Sequence, residues 1–280
     1  MPGDVNCLIT RTSTAARLCG VRAPNYPLIS PPSMLRRRLL AGGAGLLGLG
    51  SLGLAGCRSA TPAPDTGRLQ RLGEARWAHR RSIESTTAGG LSGIDYDPTK
   101  GEYLLLSDDR SDLAPVRGYT VRWPQPADAA PEPTGVVQLQ RPGGGPWPGR
   151  PHAVDGLPVP DPEALRLRPS TGPLLWTSEG DLARGFGPAL YESARDGRFL
   201  REFALPAMFA PDPAQRRGPR DNQTLEGLAL TPDDRSAWLA MENALVQDGP
   251  VPTTTAPGGP SRLTPGDPAA GRAPRPVAHR

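Results

Sequence analysis

The stretch LEGLALTPDDRSAWLAMEN, residues 225–243, is the clearest of three related copies of one unit. The other copies are LSGIDYDPTKGEYLLLSDD, residues 91–109, and PEALRLRPSTGPLLWTSEG, residues 162–180. The eighth position of every copy is a proline, and the eighteenth is an acid. These acids are Asp108, Glu179 and Glu242. Agreement at several positions at once indicates a true internal repeat.

Each copy is predicted to form a β-hairpin. A short apolar run leads into a proline-led turn, because the fixed φ of proline suits the second position of a turn. Gly101 and Gly172 end two of these turns, and Arg235 takes that place in the third. The second run is apolar on consecutive positions, which predicts burial on both faces. Trp176 and Trp238 in these runs are interpreted as core residues.

A second strand pair is predicted after each hairpin, and one of these pairs is closed by Asp196-Gly197, a dipeptide typical of tight hairpins. Two hairpins per repeat make a four-stranded sheet, and several such sheets in series make a β-propeller. The sequence therefore predicts an all-β, propeller-like fold of about three four-stranded sheets. A sandwich of the same hairpins is the alternative.

The end of the chain indicates an incomplete propeller. Closed propellers have about four to eight sheets, and no returning strand is predicted after Gly271. We therefore expect a fragment, with the propeller part at residues 73–272 and a disordered tail at 273–280.

The N-terminal residues are predicted to be an export signal. Residues 1–33 carry no pattern and are interpreted as disordered or as a mis-assigned extension, with Met34 as the alternative start. Residues 34–57 join three arginines to an uncharged apolar stretch that ends in LAGC, the layout of a secretory signal. The segment resembles a bacterial lipoprotein signal with Cys57 as the acylated residue, and also a twin-arginine signal. A short membrane anchor is the alternative.

After this signal, residues 58–72 are interpreted as a linker. We expect an exported protein held in the periplasm or at the outer membrane by its lipid. The net charge is only +4, and no basic stripe is interleaved with aromatic residues, so nucleic-acid binding is not expected.

Several segments carry a family resemblance: GGLSGIDYD, DPEALRL, LLWTSEGD and DNQTLEGLALTPDDRSAWLAMENAL. They resemble the phytase-like family of secreted bacterial proteins, described as having esterase-like activity of the phytase type. The resemblance runs from about residue 73 to residue 271, and members of the family continue beyond the point where this chain stops. It implies a β-propeller and hydrolysis of a phosphate ester.

Acids at equivalent repeat positions are the candidate metal ligands. Equivalent ends of the inner strands of a propeller converge around one axis, so five carboxylates are expected at one mouth. They are Asp108, Glu163, Glu179, Glu226 and Glu242. Clustered carboxylates repel one another unless a cation or protons neutralise them. Hard oxygen ligands suit Ca²⁺, so the sequence predicts a calcium site.

Four residues are the catalytic candidates. Glu226 is interpreted as the general base, Arg110 as a bidentate donor to phosphate, and Asp109 and Asn222 as residues that complete the site. The hypothesis is a metal-dependent hydrolase that acts on a small phosphate ester. The functional alternatives are a non-catalytic propeller that binds a small ligand, a glycan or a protein, and a non-functional truncated product.

Other polar residues are interpreted as structural. The five acids themselves could instead cap loop amides or pair with arginines, and Asp95 and Asp97 are expected only to bond the first turn. His79, His152 and His279 lack the spacing of metal ligands. No Gly-x-Ser-x-Gly elbow occurs, so a serine-esterase mechanism lacks its nucleophile turn.

Overall fold

The structure is a computed structural model that describes residues 10–11, 70–71, 73–124, 129–168, 172–267 and 277–278. The predicted signal and Cys57 lie outside the described residues. The chain divides into two compact units, Thr10–Arg71 and Met1–Ile9 with Leu72–Arg280. In the first unit, β1 (Thr10–Arg11) pairs antiparallel with β2 (Gln70–Arg71).

The second unit contains a two-stranded hairpin and three four-stranded antiparallel sheets. The hairpin is β3 (Ser82–Ile83) with β4 (Thr86–Thr87). Sheet I contains β5 (Leu91–Asp97), β6 (Glu102–Ser107), β7 (Arg117–Arg122) and β8 (Glu132–Gln138). Sheet II contains β9 (Pro162–Leu167), β10 (Leu174–Ser178), β11 (Ala189–Ser193) and β12 (Phe199–Phe203). Sheet III contains β13 (Leu225–Leu230), β14 (Ala237–Met241), β15 (Arg262–Gly266) and β16 (Val277–Ala278).

Strands pair in chain order within every sheet, and each repeat copy forms the first hairpin of its sheet. The predicted all-β, incomplete propeller-like fold is confirmed. Short 3-10 helices connect strands at Arg150–His152, Leu182–Arg184, Ala207–Phe209 and Val246–Asp248. Nowhere in the described ranges is a helix both long and apolar enough to cross a membrane.

The outer edge of sheet III differs from the prediction. β16 pairs with β15 through Arg262↔Ala278 and Leu263↔Val277. The prediction that no strand returns after Gly271 is therefore wrong. Two residues suffice to pair with a strand edge, and so short a run has no periodic signature in the sequence.

Sheet II lies between the other two sheets. Leu106 of sheet I packs with Trp176 of sheet II in one core cluster, and Leu175 of sheet II packs with Leu239 of sheet III in another. Every residue of β10 is buried, as its consecutive apolar run predicts. The inner strands β5, β9 and β13 adjoin one another, with β9 in the middle. This order brings their N-terminal ends into one neighbourhood.

The two tryptophans of the repeat differ in their surroundings. Trp176 is fully buried and contacts the rings of Trp147 and Tyr191. Trp238 is 38% exposed, so its interpretation as a core residue is wrong. In the described part of the chain, no further sheet covers that face of sheet III, so burial in β14 alternates instead of being continuous.

The hairpin turns hold the sheets together at the end opposite the acids. Gly101 and Gly172 adopt left-handed φ of 65° and 78°, as their places in the turns require. In the third turn, Asp234 takes the left-handed conformation, with φ 56°, one residue before the predicted Arg235. Asp234 accepts from Arg168, which also donates to Glu192, so a buried charge network joins sheets II and III.

The two acids that flank the first turn bond as structural residues. The Asp97 carboxylate accepts from the backbone N–H and the hydroxyl of Thr99. Asp95 reaches further than the turn, because its Oδ2 accepts from the Leu167 N–H of sheet II at 2.8 Å.

Candidate metal centre

The three acids at the eighteenth repeat position occupy equivalent places in the three sheets. Each donates its backbone N–H to the carbonyl of the residue that precedes the first strand of its sheet. These bonds are Asp108 to Gly90 at 2.8 Å, Glu179 to Asp161 at 2.9 Å, and Glu242 to Thr224 at 2.7 Å. The shared backbone bond explains why the acids lie at one end of the sheets, as the repeat predicts.

The second repeat position lies at a β-bulge in all three sheets. The register between the first two strands shifts at Ser92, at Glu163 and at Glu226. Bulges re-aim side chains and are common beside active sites. Glu163 and Glu226 thereby join the acids of the neighbouring strand, whereas the Ser92 hydroxyl donates to the Pro162 carbonyl at 3.0 Å.

The acids form two groups that share one residue. Carboxylate oxygens of Asp161, Glu163 and Glu179 lie within 4.8 Å of one another, and so do those of Glu179, Glu226 and Glu242. We call these five residues the acid cluster. Four of them were among the predicted ligands, and Asp161 was missed. Asp108 lies outside both groups, but its charge acts on Asp161, Glu163 and Glu226.

Burial and mutual repulsion shift the protonation of the acid cluster. Burial, reinforced by the charges of Glu226 and Asp161, raises the pKa of Glu163 to about 9. Burial also raises the pKa of Glu179 to about 7, against the opposing hydrogen bond from Thr224. The pKa of Asp161 rises to about 6 by burial, although Arg110 opposes the rise. Carboxyls that resist ionisation in this way gain stability from a neutralising cation.

Glu179 carries a buried oxygen with no partner. Its side chain is 2% exposed, and its Oε1 accepts the backbone N–H of Thr224. Its Oε2 has no hydrogen-bond partner in the structure. An unsatisfied buried oxygen is costly, and this one lies where the two groups of acids meet. The cluster therefore could bind a metal ion, since its donors are the hard oxygens that such cations prefer.

Arg110 and Asp109, the two loop residues proposed beside the metal, take different places. Arg110 has a left-handed φ of 53°, and its Nη1 lies 3.1 Å from Oδ2 of Asp161, at the edge of the cluster. The Nε of Arg110 is buried without a partner. Asp109 instead accepts from the buried Arg117 at 2.6 Å and from the Ser111 N–H at 2.9 Å, so it bonds the loop.

Asn222 lies two residues before Thr224 in an exposed, left-handed loop position with φ 54°. Its catalytic role stays a prediction.

The missed acid, Asp161, is only weakly indicated by the sequence repeat. It directly precedes β9, in the segment DPEALRL. The same position is Gly90 in the first copy and Thr224 in the third, so comparison of the copies could not reveal an acid that only one of them has.

A family model described as phytase-like, with esterase-like activity of phytase, matches residues 86–280. The chain belongs to the phytase-like family. The match spans all three sheets and every member of the acid cluster, and it confirms the resemblance carried by the repeat segments. No curated protein matches this phytase-like chain in sequence.

Solved structures similar to the phytase-like chain include hydrazine synthase from Kuenenia stuttgartiensis, with 8% identity and a TM-score of 0.35 over 67% of this chain. Another is "a putative 6-phosphogluconolactonase" from Bacteroides uniformis ATCC 8492, with 12% identity and a TM-score of 0.35 over 75% of this chain. The matches cover 37% and 60% of those two chains, respectively.

Proposed function

We propose that this phytase-like chain hydrolyses phosphate esters with the help of a divalent cation held by the acid cluster. The observation that carries the proposal is the buried, unpartnered Oε2 of Glu179 among four further carboxylates. If these acids were structural, arginines would be expected to neutralise them. In the described residues, the ion pair found at the cluster is that of Arg110 with Asp161.

Calcium is the cation that best suits this donor set. The cluster offers five carboxylates from sheets II and III, and Ca²⁺ accepts six to eight oxygens in a flexible geometry. Asp161, Glu163 and Glu179, whose oxygens lie within 4.8 Å of one another, would hold the ion, with Glu242 and Asp108 adding negative charge beside them. A bound cation supplies charge neutralisation and polarises a phosphoryl group toward attack by water.

Glu226 is suited to accept the proton of the attacking water. It is the exposed acid at the bulge of β13, whereas Glu163 at the equivalent bulge is buried. Although Glu226 is exposed, neighbouring groups partly desolvate its carboxyl and raise its pKa, and the charges of Glu242 and Asp108 raise that pKa further. A general base works best when its pKa lies near the working pH, so the shift is in the useful direction.

Arg110 is suited to orient the phosphate. Its guanidinium already lies beside a cluster carboxylate, and guanidinium groups bind phosphate oxygens in a bidentate manner. Asp109 would act as a positioning residue, because its bonds to Arg117 and Ser111 order the loop that carries Arg110.

From the N-terminal sequence we also propose that the protein is exported and anchored in the cell envelope through a lipid on Cys57. The protein would then encounter its small-molecule ester substrate in the periplasm or at the outer membrane.

Hydrolysis of para-nitrophenyl phosphate tests the proposed activity. We expect calcium-dependent release of nitrophenol that a chelator abolishes, and a loss of about a hundredfold or more in kcat for Glu226→Gln. Glu202→Gln, which changes an acid on β12 outside the cluster, is the matched control and should keep full activity. Turnover that survives both the chelator and Glu226→Gln would overturn the proposal. Calcium binding without turnover of any ester would instead favour a non-catalytic binding propeller.

A further inference from the structure

A pocket of about 300 Å³ lies on the face of sheet I that is turned away from sheet II. Residues 75–80 form one wall, and β6 with its neighbouring loops forms the other. Its apolar lining includes Trp77, Leu91, Leu105, Leu113 and Trp123. Small-molecule sites are typically concave and mostly apolar, with a few polar groups, and this volume is near the lower end of their range.

The pocket adjoins the acid cluster through Asp108. This residue lines the pocket together with Asp109, and the next residue in the chain, Arg110, pairs with Asp161 of the cluster at 3.1 Å. The lack of a side chain at Gly90 leaves room for the Asp108 carboxylate at this junction. A Cβ at Gly90 would lie 1.8 Å from the Asp108 Oδ1, and the backbone there has φ of +53°. A ligand that reaches the acids from this side would leave its remaining atoms among the apolar walls.

The charges around the pocket do not suit a second anionic group. Asp108 and Asp109 both line it, and Arg80 is the lining arginine. Arg110 is already assigned to the phosphate that reacts, and the buried Arg117 pairs with Asp109. An alcohol that carried several phosphates would meet carboxylates here without enough cations to offset them.

We propose that this pocket holds the alcohol part of the ester, and that this part is apolar, uncharged and about the size of one aromatic ring. The inference rests on the proposed hydrolysis at the acid cluster. Two tryptophan side chains, Trp77 and Trp123, provide the aromatic surface against which a flat ring packs well.

Leu113→Asn tests the pocket with little risk to folding, because Leu113 is 53% exposed. We compare kcat/KM for para-nitrophenyl phosphate, glycerol phosphate and inositol hexakisphosphate in the full chain with calcium. Wild type should prefer the aryl ester, and Leu113→Asn should lower kcat/KM for that ester by about fivefold to tenfold. The value for glycerol phosphate should be unchanged. Leu200→Asn is the control, since Leu200 is 39% exposed on β12 and does not line the pocket.

A binding experiment tests the pocket separately from hydrolysis. Para-nitrophenol is titrated into the protein in chelator, and its binding is measured as quenching of tryptophan fluorescence. Saturable quenching that Leu113→Asn weakens and Leu200→Asn leaves intact supports the pocket, even if no ester is hydrolysed. In that case the proposed function fails and the binding site stands. Hydrolysis with no preference for the aryl ester, together with no saturable quenching, overturns the pocket and leaves the function. A preference for inositol hexakisphosphate also overturns it.

Discussion

Replacing Glu179 with glutamine should stabilise the cation-free protein at alkaline pH and remove its response to calcium. Glutamine keeps an oxygen that can accept the Thr224 N–H, so that local bond survives. The unpartnered Oε2 becomes an amide group that can donate to a neighbouring carboxylate of the cluster. The variant therefore removes a buried charge with little change in shape.

The magnitude follows from the shifted protonation of Glu179. Burial raises its pKa from 4.5 to about 7. The folded protein thus binds this proton more tightly than the unfolded chain does, and the stabilisation is lost as the pH rises from 4.5 to about 7. At about 1.4 kcal/mol per pKa unit, the wild type should lose roughly 3 kcal/mol across that window. Glutamine has no proton to release and should not show this loss.

Urea unfolding in chelator, followed by tryptophan fluorescence, measures the difference at about pH 4 and about pH 8. Between about pH 4 and about pH 8, the free energy of unfolding of Glu179→Gln should rise relative to that of wild type by up to roughly 3 kcal/mol. Glu202→Gln is the control for the calcium response, because burial also raises the pKa of Glu202 outside the acid cluster. An identical pH dependence in wild type and Glu179→Gln would refute the reasoning.

Three further tests of the architecture use chemical unfolding. Arg168→Met should cost about 3–5 kcal/mol because it removes the cation that lies between the buried carboxylates of Glu192 and Asp234, whereas Arg122→Met, at an exposed ion pair, should cost less than about 1 kcal/mol. Equal costs would contradict the buried network. Gly197→Ala should cost more than Gly172→Ala, since a Cβ at Gly197 would meet the Gln138 carbonyl at 1.9 Å, and one at Gly172 meets nothing within 4 Å. Both glycines have positive φ, so the difference isolates the clash. Trp238→Lys should cost less stability than Trp176→Lys, because Trp238 is 38% exposed and Trp176 is fully buried, and equal losses would mean that this face is covered.

The repeat made most of the fold predictable. A copy contains its own turn, its own hairpin and the acid that ends its second strand, and all of these are local features. The backbone bond from Asp108, Glu179 or Glu242 to the residue before the first strand recurs because the register recurs. The local sequence pattern therefore predicts both the four-stranded sheets and the end of the sheets at which the acids lie.

Features that depend on neighbouring elements were less predictable. Trp238 stands in an apolar run like that of Trp176, but burial depends on whether another sheet covers the strand, which the run itself does not encode. Asp109 follows Asp108 directly and lines the same pocket, so adjacency in the sequence suggested a shared role. The Asp109 carboxylate is paired with Arg117, eight residues later, which the local sequence does not reveal.

Calorimetric titration of calcium into the cation-free protein tests the central claim, that the acid cluster is a cation site. Wild type and Glu202→Gln should bind saturably, and Glu179→Gln should show no such binding. At a calcium concentration about a hundred times Kd, the bound ion should add about 2.7 kcal/mol to the stability of wild type. Absence of binding by wild type, or equal binding by Glu179→Gln, would contradict the account.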